Sequence, residues 1–280
     1  IVTGASTGFG RELTEQLLGK GDKVIATLRK PEVLADLTQQ YPSSQLLVLP
    51  LDVTRPEQIA DAFKRAGEAF GRIDVVFNNA GMAAVGEVEN TSDEVARRVM
   101  ETNFWGAKNV SVEAVRFFRD VNKPAGGRLL QHSSTSGMYG TALVGFYAAS
   151  AAVLTCQPKA LEGMSEALAD ELNPEWNIKV TIIGTGPANT IVFNSAPHAS
   201  VHPAYENNSS PMMQYMRQWH ASPQLDGDPK KICAIIDRIA HLEDPPMRVP
   251  LLQGAISEAR RKLKRVEEEV ARFESWSESL

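Results

Sequence analysis

The sequence predicts an α/β protein built on one doubly wound parallel sheet of about seven strands, with helices on both faces. Three observations carry that reading. Short apolar runs rich in Val, Ile and Leu alternate with amphipathic stretches along the chain, the pattern of strands buried on both faces and the helices that cover them. The first apolar run passes directly into a glycine-rich turn and then a helix. Finally, 280 residues with 43% hydrophobic content can bury one large core, and no internal repeat or low-complexity linker divides them. Residues 1–280 are therefore expected to form a single domain.

Composition narrows the classes of function. A net charge of −5 gives no electrostatic case for nucleic acid or an anionic membrane surface. Cys156 and Cys233 are too few for a disulfide scaffold and lack metal-ligand spacing, which favours a reducing compartment. No apolar run approaches the ~18 residues of a membrane span, and no signal-like segment precedes the first motif. A cytoplasmic setting is the expectation. The chain opens at Ile1 inside an apolar strand, so a few residues of that strand are expected to be missing.

Taken in order, Ile1 to Gly10 (IVTGASTGFG) reads as strand, turn and helix start, with Gly4, Gly8 and Gly10 in the turn. Such glycines let backbone N–H groups approach a pyrophosphate at a helix N-terminus, whose dipole favours the anion. Asp22 to Arg29 is the second strand, with Val24, Ile25 and Ala26 buried. An NAD-specific site places an acid at the end of this strand. Here stand Thr27, Leu28 and Arg29, and Arg29 can pair with a phosphate. NADP(H) is thus favoured over NAD(H), against the alternative that Arg29 is a solvated surface charge. Pro31 to Gln40 is a short helix, and QLLVLPLDVT a third strand ending at Asp52-Val53, where Asp52 or Thr54 could serve as a cap.

Pro56 to Phe70 is a helix with Ile59, Phe63, Ala66 and Phe70 on one face, stopped by Gly71. A continuous apolar strand, Ile73 to Phe77, runs into Asn78-Asn79-Ala80-Gly81. Two buried asparagines at a strand end are costly unless they bond neighbouring backbone or a ligand. Thr91 to Val121 is a long helix holding Asn103, and Gly126 to Ser133 a fifth strand that delivers Ser134 to the carboxyl edge of the sheet. Tyr147 follows thirteen positions after Ser134, at the start of a small-residue helix.

TGxxxGxG, Asn-Asn-Ala-Gly, and a serine and tyrosine in this order together resemble the short-chain dehydrogenase/reductase family, over nearly the whole chain. That resemblance implies a Rossmann-type nucleotide-binding domain and an oxidoreductase acting on an apolar alcohol/carbonyl pair. In it Ser134 and Tyr147 grip the substrate oxygen, a lysine lowers the phenol's pKa, and Asn103, at a local helix distortion, holds a water linked to that lysine. Asp52 would accept from the adenine amino group, and the Asn-Asn-Ala-Gly motif would lie beside the ribose. The cofactor contacts it implies are Gly4, Ser6, Gly8, Phe9, Gly10, Arg29, Asp52, Val53, Asn79, Ala80, Gly81, Gly186, Pro187 and Thr190, with Tyr147 and Lys159. The family often forms dimers or tetramers through the tyrosine-bearing helix, so a homodimer or homotetramer is implied too.

The lysine is displaced. The family pattern Tyr-x-x-x-Lys meets Ala151, and the Ala-Leu-Glu-Gly segment that follows the lysine resumes only at Ala160, a net insertion of seven residues with Pro158 in the lysine slot and Lys159 one place later. In a continuous helix seven residues come within ~20° of two turns, leaving Lys159 about 18 Å along the axis from Tyr147. Pro158 opposes an unbroken helix. A looped-out insertion would bring Lys159 back. The motif is intact on both sides, which points to a gene-model error or a recent lesion, and a cofactor-binding protein with little catalysis, acting as a partner or sensor, is the alternative to the enzyme.

Asn177 to Ile183 is the sixth strand, followed by Gly184-Thr185-Gly186-Pro187, in which Thr185 replaces the family's proline. From Ile191 to Asp228 the chain reads as irregular and holds Phe193, Tyr205, Met212, Met213, Tyr215 and Trp219, the content of a lid over an apolar substrate or of a mobile flap. His198, His202 and His220 lack metal spacing, and no metal is expected. A further helix is expected over Asp228–His241, a last strand at MRVPLL, and a charged helix over 255–276 with Ile256, Leu263, Val266 and Val270 on one stripe, for docking on the body or on a partner.

Overall fold

Seven strands form one sheet: β1 (Val2–Thr3), β2 (Val24–Leu28), β3 (Leu46–Pro50), β4 (Val75–Asn78), β5 (Gly127–Ser134), β6 (Ile178–Thr185) and β7 (Arg248–Leu251). This computed structural model describes residues 1–137, 139–151, 160–193, 195–225 and 227–278. The strand order is β3-β2-β1-β4-β5-β6-β7 and every pairing is parallel. The order reverses between β1 and β4, so a crevice opens there at the carboxyl ends of the strands, where ligands of open α/β sheets bind.

Helices α1 (Gly8–Lys20), α2 (Ala35–Gln40), α3 (Pro56–Phe70), α4 (Asp93–Met100), α5 (Ala107–Arg116), α6 (Gly145–Ala151), α7 (Ala160–Glu171), α8 (Pro211–Ala221), α9 (Pro229–Ala240) and α10 (Gln253–Phe273) connect and flank the sheet. The period of two along the strands sorts the core into two layers. Ala26, Phe77 and Leu130 face Leu13 of α1 and Ile236 of α9 on one side. Their neighbours Ile25, Val76 and Leu129 face Ile59 and Phe63 of α3 and Val110 of α5 on the other.

Local chemistry sets the ends of the elements. Pro56 sits in the first turn of α3, and Gly71 ends it at φ 80° with its N–H on Gly67 O, a left-handed cap that suits glycine. Ser92, rather than Thr91, starts the long helix by accepting from Val95 N at 3.4 Å. That helix then runs to Val121 through two π-helical stretches, 101–106 and 117–121. Beyond it, buried Asn122 bonds Ile73 N, Ile73 O and Gly126 O, tying the helix end to the strands.

One expectation is corrected. The stretch 191–228 is not irregular throughout: it holds a 3-10 turn at Pro203–Tyr205 and the eleven-residue helix α8. Pro211 at its first turn fits the helix N-terminus, and Met213 and Met216 bury one face. These methionines join Leu143, Val144, Phe193, Tyr205 and Trp219 in a third apolar cluster, apart from the two core layers. No helix among the described residues is long and apolar enough to cross a membrane.

Candidate active site

The first turn of the chain is built for close backbone approach. Gly4 has φ +68°, and a Cβ there would stand 2.9 Å from Ala80 Cα; one on Gly10 would stand 2.3 Å from Gly4 O. Only glycine fits either place. Thr3 joins this turn to the Asn-Asn-Ala-Gly segment: its hydroxyl accepts from Asn79 N at 2.9 Å and Ala80 N at 3.0 Å. The Asn79 amide in turn donates to Thr3 O at 2.9 Å. Asn78 reaches back into the core, donating to Ala107 O and Gln131 Oε1, both at 2.8 Å. The costly asparagines are thus satisfied through their amide hydrogens, while Asn78 Oδ1 is buried with no partner among the described residues.

These segments border a cleft of about 940 Å³ along the carboxyl edge of the sheet. It brings together Gly4, Ser6, Gly8, Phe9, Arg29, Asp52, Val53, Asn79, Ala80, Gly81, Asn103, Ser134, Tyr147, Gly186, Pro187 and Thr190. Gly10 does not line it; its part is the contact with Gly4 O. Lys159 lies outside the described residues, as do Pro158 and residues 152–157 of the inserted segment. Asp52 accepts from Thr54 N at 3.0 Å and Thr54 Oγ1 at 2.8 Å, fixing the turn after β3. Thr190 packs over Gly8, 3.5 Å from where a Cβ would stand.

In the middle of the cleft the Tyr147 phenol lies beside Ser134. Burial raises the Tyr147 phenol above its ordinary value, and the neighbouring Ser134 hydroxyl pulls it partly back. Ser134 Oγ also accepts from Ser136 N at 3.1 Å. Asn103 lies within the first π-helical stretch, at the helix distortion expected of it. Its side chain accepts from Met82 N at 2.9 Å and donates to Met82 O at 2.8 Å and Ser150 Oγ at 3.0 Å. Ser150 is on α6, so Asn103 ties the tyrosine-bearing helix to the segment after Gly81.

Sequence reasoning missed several groups. Thr185, named above only as a replacement for proline, is buried at the end of β6 and bonds His132 Nε2 at 3.1 Å. Burial brings His132 down to about 4, and its ring meets Phe9 edge-on at 5.0 Å. Behind Ser134, Ser133 donates to buried Glu162 at 2.5 Å, and Arg248 of β7 holds Glu162 at 3.2 Å and also Glu166. Burial raises the Glu162 carboxyl to about 7 against the pull of Ser133 and Arg248. Over the far end of the cleft, Phe193 contacts Tyr147 at 6.1 Å, Trp219 at 5.4 Å and His220 at 5.7 Å between ring centroids. Phe193 and Trp219 were expected as lid content, and their ring contacts emerge only from the fold.

A glycine turn at the switch point of a doubly wound sheet defines a nucleotide-binding Rossmann fold. The signature of the short chain dehydrogenase family matches residues 1–200. A Schizosaccharomyces pombe protein described as an uncharacterized oxidoreductase is 35% identical over 271 residues, covering 96% of this chain and 87% of its own. Among solved structures, a short-chain dehydrogenase from Streptomyces avermitilis superposes with a TM-score of 0.85 at 32% identity, covering 99% of this chain and 97% of its own. A short chain dehydrogenase from Burkholderia cenocepacia in complex with NADP gives a TM-score of 0.70 at 26% identity, covering 96% and 94%. The chain belongs to the short-chain dehydrogenase/reductase family of oxidoreductases, whose cofactor is a nicotinamide dinucleotide.

Proposed function

We propose that this chain interconverts an apolar secondary alcohol and its ketone, or an aldehyde and its alcohol, using NADP(H). The observation that carries the reading is the adjacent pair Ser134 and Tyr147, set between a glycine turn at one end of the cleft and an apolar lid at the other. The glycine turn fits the cofactor: Gly4, Ser6, Thr7 and Gly8 line the cleft at the N-terminus of α1, where the pyrophosphate would lie. Arg29 lines the same cleft at the end of β2 and would take a 2′-phosphate. The cofactor, when bound, supplies or accepts the hydride.

This chain's residues do the rest. The Tyr147 phenol, held above its ordinary value, carries its proton at neutral pH and gives it to the carbonyl oxygen. Ser134 hydrogen-bonds that oxygen and orients it. Asn103 holds α6 in place through Ser150. Phe193, Met213, Met216 and Trp219, in the segment 191–228 that acts as the lid, exclude water from an apolar substrate.

The test is NADPH consumption by the purified chain against a panel of apolar aldehydes and ketones, with Tyr147→Phe and Arg29→Asp variants. Turnover that vanishes in Tyr147→Phe, and a preference that moves toward NADH in Arg29→Asp, are the expected results. Turnover that survives in Tyr147→Phe would refute the proton-transfer role. An unchanged NADPH/NADH ratio in Arg29→Asp would refute the role given to Arg29.

A further inference from the structure

Two polar atoms of the cleft are used by nothing in the fold. Thr141 Oγ1 and His220 Nε2 are each buried without a hydrogen-bond partner among the described residues, and both residues line the cleft. A buried polar atom left without a partner is costly, and a native fold rarely carries two in one cleft without a use. Asn78, Arg217 and Arg248 also have one such atom each, but other atoms of their side chains are bonded to Gln131, Glu87 and Glu162. The Thr141 side chain has no second polar atom to satisfy. Its surroundings and those of His220 are apolar and aromatic. Thr141 leads into Leu143 and Val144 of the third cluster, and the His220 ring meets Phe193 at 5.7 Å and Trp219 at 5.0 Å between centroids. Phe193 also meets the Tyr147 ring at 6.1 Å, so a single aromatic ring links His220 to the proton donor.

We propose that the lid end of the cleft is a hydroxyl-binding subsite: the carbonyl substrate carries a second, uncharged oxygen, a hydroxyl, which hydrogen-bonds to His220 Nε2 and Thr141 Oγ1. This rests on the reduction proposed above and names its class of substrate, an apolar hydroxyketone or hydroxyaldehyde. The chemistry of the two groups selects a hydroxyl. A neutral imidazole nitrogen donates in one tautomer and accepts in the other, and a threonine hydroxyl does both, so together they match a group that both donates and accepts. Burial and the neighbouring His198 ring hold His220 below its ordinary value, which leaves the ring uncharged at neutral pH with no ion pair to offer a carboxylate. No hydrogen bond through either atom opposes a turn of Thr141 about χ1, or of the His220 ring about χ2, to meet the substrate. A site that bonds a substrate hydroxyl rejects the analogue lacking it, because its own polar atoms then stay unpaired.

Calorimetric titration of the full chain with NADP+ or NAD+, whichever it binds, tests this, because the oxidised cofactor cannot deliver a hydride and the affinity is read without turnover. Medium-chain ketones are compared with their hydroxyl-bearing and carboxyl-bearing analogues, over a series of spacings between the two oxygens. At the best spacing the hydroxyketone should bind at least about tenfold more tightly than the plain ketone. With His220→Phe and Thr141→Val together the two should bind alike, and Thr141→Val alone, a change of the same shape, should remove part of the advantage. The proposal is overturned if no spacing favours the hydroxyketone, if the carboxylate binds tightest, or if either variant keeps the advantage in full. NADPH consumption by the parent separates the two claims. Turnover of both ketones at equal kcat/KM would overturn the subsite and leave the reduction standing; a hydroxyl-dependent affinity without turnover would support the subsite and overturn the reduction.

Discussion

Replacing Asn103 by alanine tests how the tyrosine-bearing helix is held. The amide makes three bonds: from Met82 N, to Met82 O and to Ser150 Oγ. Alanine leaves the N–H and the carbonyl of half-buried Met82 without that partner, at about 1 kcal/mol or more each, and loses the tie to α6 for about another. Partial rehydration of the Met82 groups sets the lower bound, so the expected loss is about 2–4 kcal/mol, read as a fall in Tm of roughly 5–10 °C for a chain of this size. Ser150→Ala removes only the third bond and should cost about 1 kcal/mol. Thermal and urea unfolding of both variants beside the parent measure the two numbers. If Asn103→Ala unfolds with the parent, the π-helical stretch is not secured by this amide and the account of α6 is wrong.

Two further perturbations reach other parts of the site. Gly10→Ala puts a Cβ 2.3 Å from Gly4 O and 2.8 Å from Asn79 Nδ2; overpacking of about 1–3 kcal/mol should lower stability and displace the turn. A NADPH titration should then show affinity down at least about tenfold, whereas unchanged affinity and Tm would remove the turn from the cofactor site. Glu162 supplies a pH dependence. Burial raises its carboxyl from 4.5 to about 7 in the folded chain, so between those values the folded state holds a proton that the unfolded state has lost. The group's contribution is full at low pH and declines as pH rises, by about 3 kcal/mol in all. Urea midpoints of the parent should therefore fall more between about pH 5 and pH 8 than those of Glu162→Gln; parallel curves would show that Arg248 offsets the burial.

Much of this was legible in the sequence because its causes are local. Gly4, Gly8 and Gly10 announce a turn by backbone conformation alone, α3 is bounded by Pro56 and Gly71, and Ser134 and Tyr147 are brought to one edge by a strand end and a helix start. What stayed hidden depends on strand pairing or on weak local pattern. His132 meets Thr185 across β5 and β6, 53 residues apart, and Arg248 meets Glu162 from 86 residues away; neither spacing carries a signal. Helix α8 was missed because only Met213 and Met216 mark its buried face, among prolines and polar residues that read as loop. Asn103 was singled out by its place in a motif, while its partners Met82 and Ser150 emerged only from the fold.

The central claim is that this cleft moves a hydride to a carbonyl carbon while Tyr147 moves the proton. Incubating the full chain with NADPH deuterated at the transferring position and a ketone from the active panel, then weighing the product, tests both halves. The account predicts one deuterium on the carbinol carbon with the parent chain and no product with Tyr147→Phe. Soluble protein that binds NADPH yet places no deuterium on any substrate would contradict it, and would leave a nucleotide-binding member of the family whose chemistry has been lost.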